Sequence, residues 1–302
     1  MLSANAMLSR RYTLRAMSAA LVGLGAASCA VNPLPELIPQ GLGIALTPQP
    51  LTDPAVFNFA LNLEYLEAEY YLRGVTGLGL ADADIGPVPK AVTGGRRVAF
   101  QTPAIEEFMA EIAADERAHV QFLRRAIAST PLVQSSRPAI DLEASFRAAG
   151  EAAGLGPNFD PFADEDSFLL GAFIFEDVGV TAYNGAVKLI AQPVLLEAAA
   201  GILAVEAYHA GLIRAQLYSK GEDLIAKADK ISAARDMLDG PVPTEEAPSA
   251  SGGVIIAPCD QNGQAFKRTP QQVMNIAFLE PRPNMDRGGF FPEGINGVVR
   301  HT

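Results

Sequence analysis

Two of the chain's three histidines share one local pattern, Glu116-Arg117-Ala118-His119 and Glu206-Ala207-Tyr208-His209. On a helix, residues three apart are neighbours, so each Glu-x-x-His puts a carboxylate and an imidazole on one face. With 19 glutamates in 302 residues, one histidine has such a partner by chance about 6% of the time, and two of three do so about 1% of the time. Mixed carboxylate and imidazole donors are the chemistry of a divalent transition metal. A set dominated by carboxylate oxygen favours Fe or Mn over Zn. Each Glu-x-x-His taken singly is equally a solvated helix face; the matched pair is what points to metal.

The surroundings of these motifs are apolar where solvated faces would be charged. Between Glu197 and Arg214 the only charged or imidazole side chains are Glu206 and His209, set among Ile202, Leu203, Val205, Leu212 and Ile213. Further upstream, Leu169, Leu170, Ala172, Phe173, Ile174 and Phe175 lead directly into Glu176, with Asp177 beside it as an alternative inward group. A third apolar stretch offers Glu64, Glu67 and Glu69. An unpaired carboxylate in a core is costly enough to protonate or be expelled. Several of them converging make sense when a cation neutralises them. Asp115 and Asp177 read equally as hydrogen-bond partners of the ligands or as surface residues. Tyr71 and Tyr183 read as hydrogen-bond donors behind the ligands, as redox-active groups, or as packing.

Four long helices must carry these residues. The first starts at Asp53-Pro54, an N-cap followed by proline, and runs over 53–74; the second covers 103–129 after Thr102. The third begins in the acidic Asp164-Glu165-Asp166, which suits a helix N-terminus, and ends before Pro193; the fourth runs over 193–221. Residues 75–101 read as a Gly-rich loop and 191–193 as a tight turn. The link 130–163 carries a short helix at 141–152, and its length is what one crossover in a four-helix bundle requires. Beyond 221 the pattern predicts a fifth helix at 222–238, a linker at 240–253, a strand at 254–257, a capped helix at 269–279 and coil at 288–299. No independent core is legible there, so residues 222–302 are expected to wrap the bundle.

One Glu from each of two helices plus a Glu-x-x-His from each of the other two resembles the ferritin-like superfamily of di-iron and di-manganese carboxylate bundles. The resemblance covers about residues 53–220 and implies an all-α fold, a ferritin-like four-helix bundle with one long crossover, and two Fe or Mn ions. Carried over by position, it implies Glu116 and Glu206 as bridging carboxylates, His119 and His209 as nitrogen ligands, and Glu176 as a terminal carboxylate. On the first helix it favours Glu64, since Tyr71 follows it by seven residues as Tyr183 follows Glu176; Glu67, on the same face, is the substitute. Asn62-Leu63-Glu64-Tyr65-Leu66-Glu67-Ala68-Glu69, Arg268-Thr269-Pro270 and Gly288-Gly289-Phe290-Phe291-Pro292 are similar to the desiccation-related ferritin-like proteins of bacteria and plants. That second resemblance spans nearly the whole chain after residue 30 and treats the C-terminal segment as a family feature.

Residues 1–30 hold no acid and only Arg10, Arg11 and Arg15 as charges, followed by an apolar run too short to span a bilayer. They read as an export signal, twin-arginine-like in Ser9-Arg10-Arg11-Tyr12-Thr13-Leu14-Arg15, with 31–52 as an extended segment before the bundle. Ala26-Ala27-Ser28-Cys29 is a weak lipoprotein box, so both a lipid anchor at Cys29 and a free soluble chain are open. The expected location is the periplasm or cell envelope. A net charge of −11, from 34 acids against 23 Lys and Arg, argues against nucleic acid as a partner. With two cysteines no disulfide framework is expected. Two functions stay open: an oxidoreductase acting on dioxygen, peroxide or Fe(II), and a non-enzymatic stress or desiccation-related envelope protein whose metal site is structural or absent. The partners implied are metal ions and a small oxidant, with a homo-oligomer also open.

Overall fold

A computed structural model describes residues 51–128, 136–242, 244–250 and 252–302. The expected export signal, most of the expected extended segment and Cys29 lie outside the described residues. The long helices are α1 (Asp53–Thr76), α2 (Pro103–Ala128), α4 (Glu165–Ala186) and α5 (Pro193–Lys220), with α3 (Ala144–Ala152) in the long link. Helices α6 (Glu222–Asp239) and α7 (Pro270–Ala277) follow the bundle. The chain is thus all-α, and among the described residues one parallel pair of two-residue strands, β1 (Val92–Thr93) and β2 (Ile140–Asp141), joins the first loop to the crossover.

Local signals set these boundaries. Asp164 caps α4 by accepting from Ser167 N, and α7 opens on a capping box between Thr269 and Gln272. Helix α1 ends at Gly77, whose φ of 81° suits a residue without Cβ. Asp141, expected inside the short helix, instead accepts from Glu143 N and Ala144 N ahead of it.

Gly74 near the end of α1 abuts Phe168 near the start of α4, so those helices are antiparallel. Glu165 at the start of α4 accepts from Gln101 N, Thr102 N and the Thr102 hydroxyl, and from Lys220 Nζ at the end of α5. One buried carboxylate therefore gathers the N-termini of α2 and α4 and the C-terminus of α5 at one end of the bundle. Helices α2 and α4 start together, so the chain must climb the bundle's full length between them. That is the work of the long crossover. It is anchored by Arg137, which reaches the buried Glu69, already paired with Arg73. Glu69 is thereby spent on holding the crossover and leaves the candidate ligands on α1.

The core beside that end is aromatic: Tyr70 stacks on Phe168 and meets Phe146, Phe162 and Phe175, with Phe290 from the C-terminal coil inserted against Phe146 and Phe175. The C-terminal segment packs on the bundle, and charge holds it as much as oil. Asp177 is not a surface residue. It pairs with Arg214 and Arg235, while Arg235 and Arg268 share Glu245 and Arg268 takes Asp239. All six side chains are buried, and both Arg214 and Arg235 lie over the Phe173 ring. At Gly185 on α4 the Arg268 backbone crosses so closely that a Cβ would sit 1.8 Å from the Arg268 carbonyl oxygen. The strand expected at 254–257 is not formed. The Ile255 carbonyl accepts from Arg214 Nη1 and its N–H donates to the Pro248 carbonyl, so its backbone groups are used without a partner strand.

Asp53 also departs from its expected role. The N-cap is Thr52, and the buried Asp53 carboxylate accepts from Ala191 N and Gln192 N at 2.8 and 2.9 Å, at the turn into α5. A carboxylate serving two helix N-termini is well placed electrostatically. Asp53→Ala is expected to lower stability by about 2 kcal/mol, because the N–H groups of Ala191 and Gln192 lose a buried, charged acceptor; a urea titration with unchanged helicity checks it.

Candidate metal centre

Helices α1, α2, α4 and α5 bring the predicted carboxylates and imidazoles into one buried cluster. Ligand-capable atoms of Glu64, Glu116, His119 and Glu206 all lie within 4.8 Å of one another, and so do those of Glu116, Glu176 and His209. Glu116 belongs to both groups. His119 Nδ1 lies 3.2 Å from Glu64, 3.5 Å from Glu206 and 3.6 Å from Glu116. His209 Nδ1 lies 3.1 Å from Glu116 and 3.6 Å from Glu176, and the two imidazole centroids are 6.4 Å apart.

The supporting contacts repeat across the antiparallel α1–α4 pair. Tyr71 donates to Glu176 and Tyr183 donates to Glu64, so each helix contributes a carboxylate and the hydroxyl that orients its partner's carboxylate. Asp115 lies 3.2 Å from His209 Nε2. A carboxylate at Nε2 holds the proton there and leaves Nδ1 facing the cluster as a donor of electrons. His301 is exposed and apart from this cluster.

Glu67 is buried but belongs to neither group. Its carboxylate reaches the same pocket, since a Cβ on Gly179 would lie 3.6 Å from Glu67 and 2.1 Å from Glu206. Gly179 is the residue the sequence reading missed. A glycine inside a helix costs about 1 kcal/mol against alanine, and this one sits three residues after Glu176, on the same face; that was the available signal. Gly179→Val is expected to displace the Glu206 carboxylate and reduce bound metal while leaving helicity intact, as read by elemental analysis beside circular dichroism.

Electrostatics make the cluster a demand for cations. Burial raises Glu64 to about 7 despite His119, and raises Glu176 to about 8 despite His209. Burial, with Glu116 next, pushes Glu67 and Glu206 well above the carboxylate range. For Glu116 burial works the same way, but the flanking His119 and His209 outweigh it and bring it to about 2. Burial would depress both imidazoles; the carboxylates around them prevail and raise His119 to about 11 and His209 to about 9. Five buried carboxyl groups thus face two imidazoles, and without a cation most of the five stay buried only by holding protons. Both oxygens of Glu116, both of Glu206 and one of Glu176 have no hydrogen-bond donor, nor has His209 Nδ1 a partner in alignment. Buried polar atoms are ordinarily satisfied. A set of orphaned oxygens aimed at one another, with two imidazole nitrogens, fits metal ions as the missing partners.

Comparison with known proteins agrees. A model of the ferritin-like domain matches residues 52–219. The desiccation-related protein PCC13-62 of Craterostigma plantagineum is 32% identical over 277 residues, spanning 82% of this chain and 84% of that protein. The ferritin-like catalase Nec2 of Nesocodon mauritianus is 27% identical over 271 residues, with the same coverage of each chain. No solved structure matches. With a bundle of this topology, a buried carboxylate–imidazole cluster at its centre and a domain match across all four long helices, the chain belongs to the ferritin-like domain family.

Proposed function

We propose that this chain holds two Fe or Mn ions through Glu64, Glu116, His119, Glu176, Glu206 and His209 and acts as an oxidoreductase on hydrogen peroxide. The observation that carries the reading is the set of orphaned carboxylate oxygens, in two groups sharing Glu116. Four carboxylates balance two divalent ions with both imidazoles neutral, the state in which imidazole is a ligand. Glu67 is then a surplus buried carboxylate beside the site, able to hold a proton on its oxygen. Two such ions supply the two-electron exchange of peroxide disproportionation, in which two hydrogen peroxide molecules give two waters and one dioxygen.

The chain's own residues account for the rest of the design. Tyr71 and Tyr183 fix the orientation of Glu176 and Glu64, and Asp115 fixes His209. The six ligand side chains are nearly sealed from solvent, which favours a small oxidant over any bulky substrate. Similarity to a ferritin-like catalase supports peroxide as that oxidant. Export to the periplasm or envelope is part of the same proposal. It rests on the basic, acid-free N-terminal thirty residues.

The test is metal analysis of purified protein followed by dioxygen evolution from peroxide. Two ions per chain with sustained evolution is the expected result; absence of Fe and Mn after anaerobic loading overturns it. A second reading is favoured by similarity to a desiccation-related protein: the ions brace the bundle and catalyse nothing. Two ions without peroxide turnover decide for that reading.

A further inference from the structure

An apolar cavity of about 50 Å³ lies beside the cluster, between α1, α4 and α7. Its polar boundary consists of Glu64, Glu67 and Tyr183, the face of the candidate metal centre; the rest is aliphatic or aromatic. Helix α7 closes it with Val273, Ile276 and Ala277, and Phe290 fills one corner. A second, smaller void of about 10 Å³ shares the walls Val56, Phe59, Ala182 and Val273 with the first. That outer void has no polar side chain in its lining, and it continues to the half-buried Leu51, Leu189, Pro270 and Val299.

Size and polarity narrow what such a space takes. Ligand pockets for drug-sized molecules run to about 300–1,000 Å³, so this cavity is too small for an organic substrate. Apolar cavities of modest size stay dry and bind small apolar molecules such as xenon. Hydrogen peroxide would have to leave its hydrogen bonds to water behind in crossing the outer void, and burying an unpaired hydroxyl costs a few kcal/mol. Dioxygen has none to lose. Asp115, beside His209, lines neither void, and its side chain is 42% exposed.

We propose that the paired voids between α1, α4 and α7 form a dioxygen site and passage serving the metal centre. The purpose assigned to it rests on the dinuclear oxidoreductase reading; its occupancy does not. The C-terminal extension then gains a role beyond clamping the bundle, because α7 supplies the wall that keeps the passage apolar.

The experiment is methyl NMR of the full chain, metal-free and again with Zn, under several bar of dioxygen and under nitrogen. Paramagnetic broadening by dioxygen should be greatest at the methyls of Val56, Val178, Ala182 and Val273. Ala182→Leu, at the wall common to both voids, should abolish it there, and Ala60→Leu provides a second filling variant should the first not fold. In the Fe- or Mn-loaded protein the same variants should slow dioxygen release from peroxide while metal content stays unchanged. Broadening no greater than at other buried methyls overturns the proposal, as does unaltered dioxygen release by a filled cavity. Cavity broadening in a protein that binds neither Fe nor Mn overturns the functional reading alone and leaves the dioxygen site standing.

Discussion

Glu116→Ala is expected to empty the centre of both ions, whereas Glu64→Gln or Glu176→Gln should each cost chiefly one. Among the described residues Glu116 alone belongs to both groups, one with Glu64, His119 and Glu206 and one with Glu176 and His209. Its loss should weaken binding by more than the 10–100-fold seen when a partner behind a ligand is removed, since here a charged ligand itself goes. A paired measurement separates ligand loss from general damage. Glu206 is buried with no hydrogen-bond donor on either oxygen, crowded by Glu116, Glu67 and Glu64. In the metal-free chain Glu206→Gln should therefore be neutral or stabilising, because it replaces a buried carboxyl, which burial drives to hold a proton and which has no hydrogen-bond donor, by a neutral amide of the same shape. In the metal-loaded chain it should be destabilising, because a ligand that binds only the folded state contributes stability in proportion to its occupancy. Melting curves with and without metal show whether the sign reverses. Destabilisation of equal size in both states would mean that Glu206 serves the bundle and not a metal.

The cluster was legible because its signal is local. Glu116 with His119 and Glu206 with His209 are each three residues apart, and helical periodicity alone puts each pair on one face. Helix ends were equally legible where a capping residue or proline marks them, as at Asp164 and Thr269. What could not be read was any choice decided by a residue distant in the chain. Glu64, Glu67 and Glu69 share one helix and similar surroundings in sequence. Arg137, in the crossover, joins Arg73 in drawing Glu69 away. Tyr183 and His119, on two other helices, meet Glu64, the residue that the seven-residue spacing to tyrosine already favours. Asp53 has the form of an N-cap, yet the backbone it serves is at Ala191 and Gln192. Asp177 stands beside Glu176 but one position further round the helix, so it points to another neighbourhood altogether, where Arg214 and Arg235 meet it. The segment 254–257 has strand-forming side chains, but strand formation depends on a partner, and Arg214 and Pro248 take the Ile255 backbone groups instead.

The Arg268 clamp is where the largest loss of stability is expected. Arg268 is wholly buried, 29 residues from Asp239 and 87 from Thr181, and its guanidinium donates to Asp239, Glu245, Thr181 and Thr244. It thus joins α4, α6 and the segment entering α7 through a single side chain. Removing one partner of a buried ion pair leaves the other uncompensated and costs about 3–5 kcal/mol. Arg268→Met should therefore lower the melting temperature by roughly 10 °C, taking about 2–4 °C per kcal/mol for a domain of this size. Proteolysis should then begin in the linker 240–253, because the extension has lost its anchor on α4. The network also predicts a rescue. Glu245 retains Arg235, and Asp177 retains both Arg214 and Arg235, so Asp239 is the acid stranded without a guanidinium. Arg268→Met with Asp239→Asn removes that stranded charge and should recover much of the loss, although the fourfold hydrogen bonding is gone. Arg268→Lys should fare little better than Met, since one ammonium cannot reproduce a planar fork reaching four acceptors. A double variant no more stable than Arg268→Met would assign the clamp's contribution to hydrogen bonding and packing instead of charge pairing.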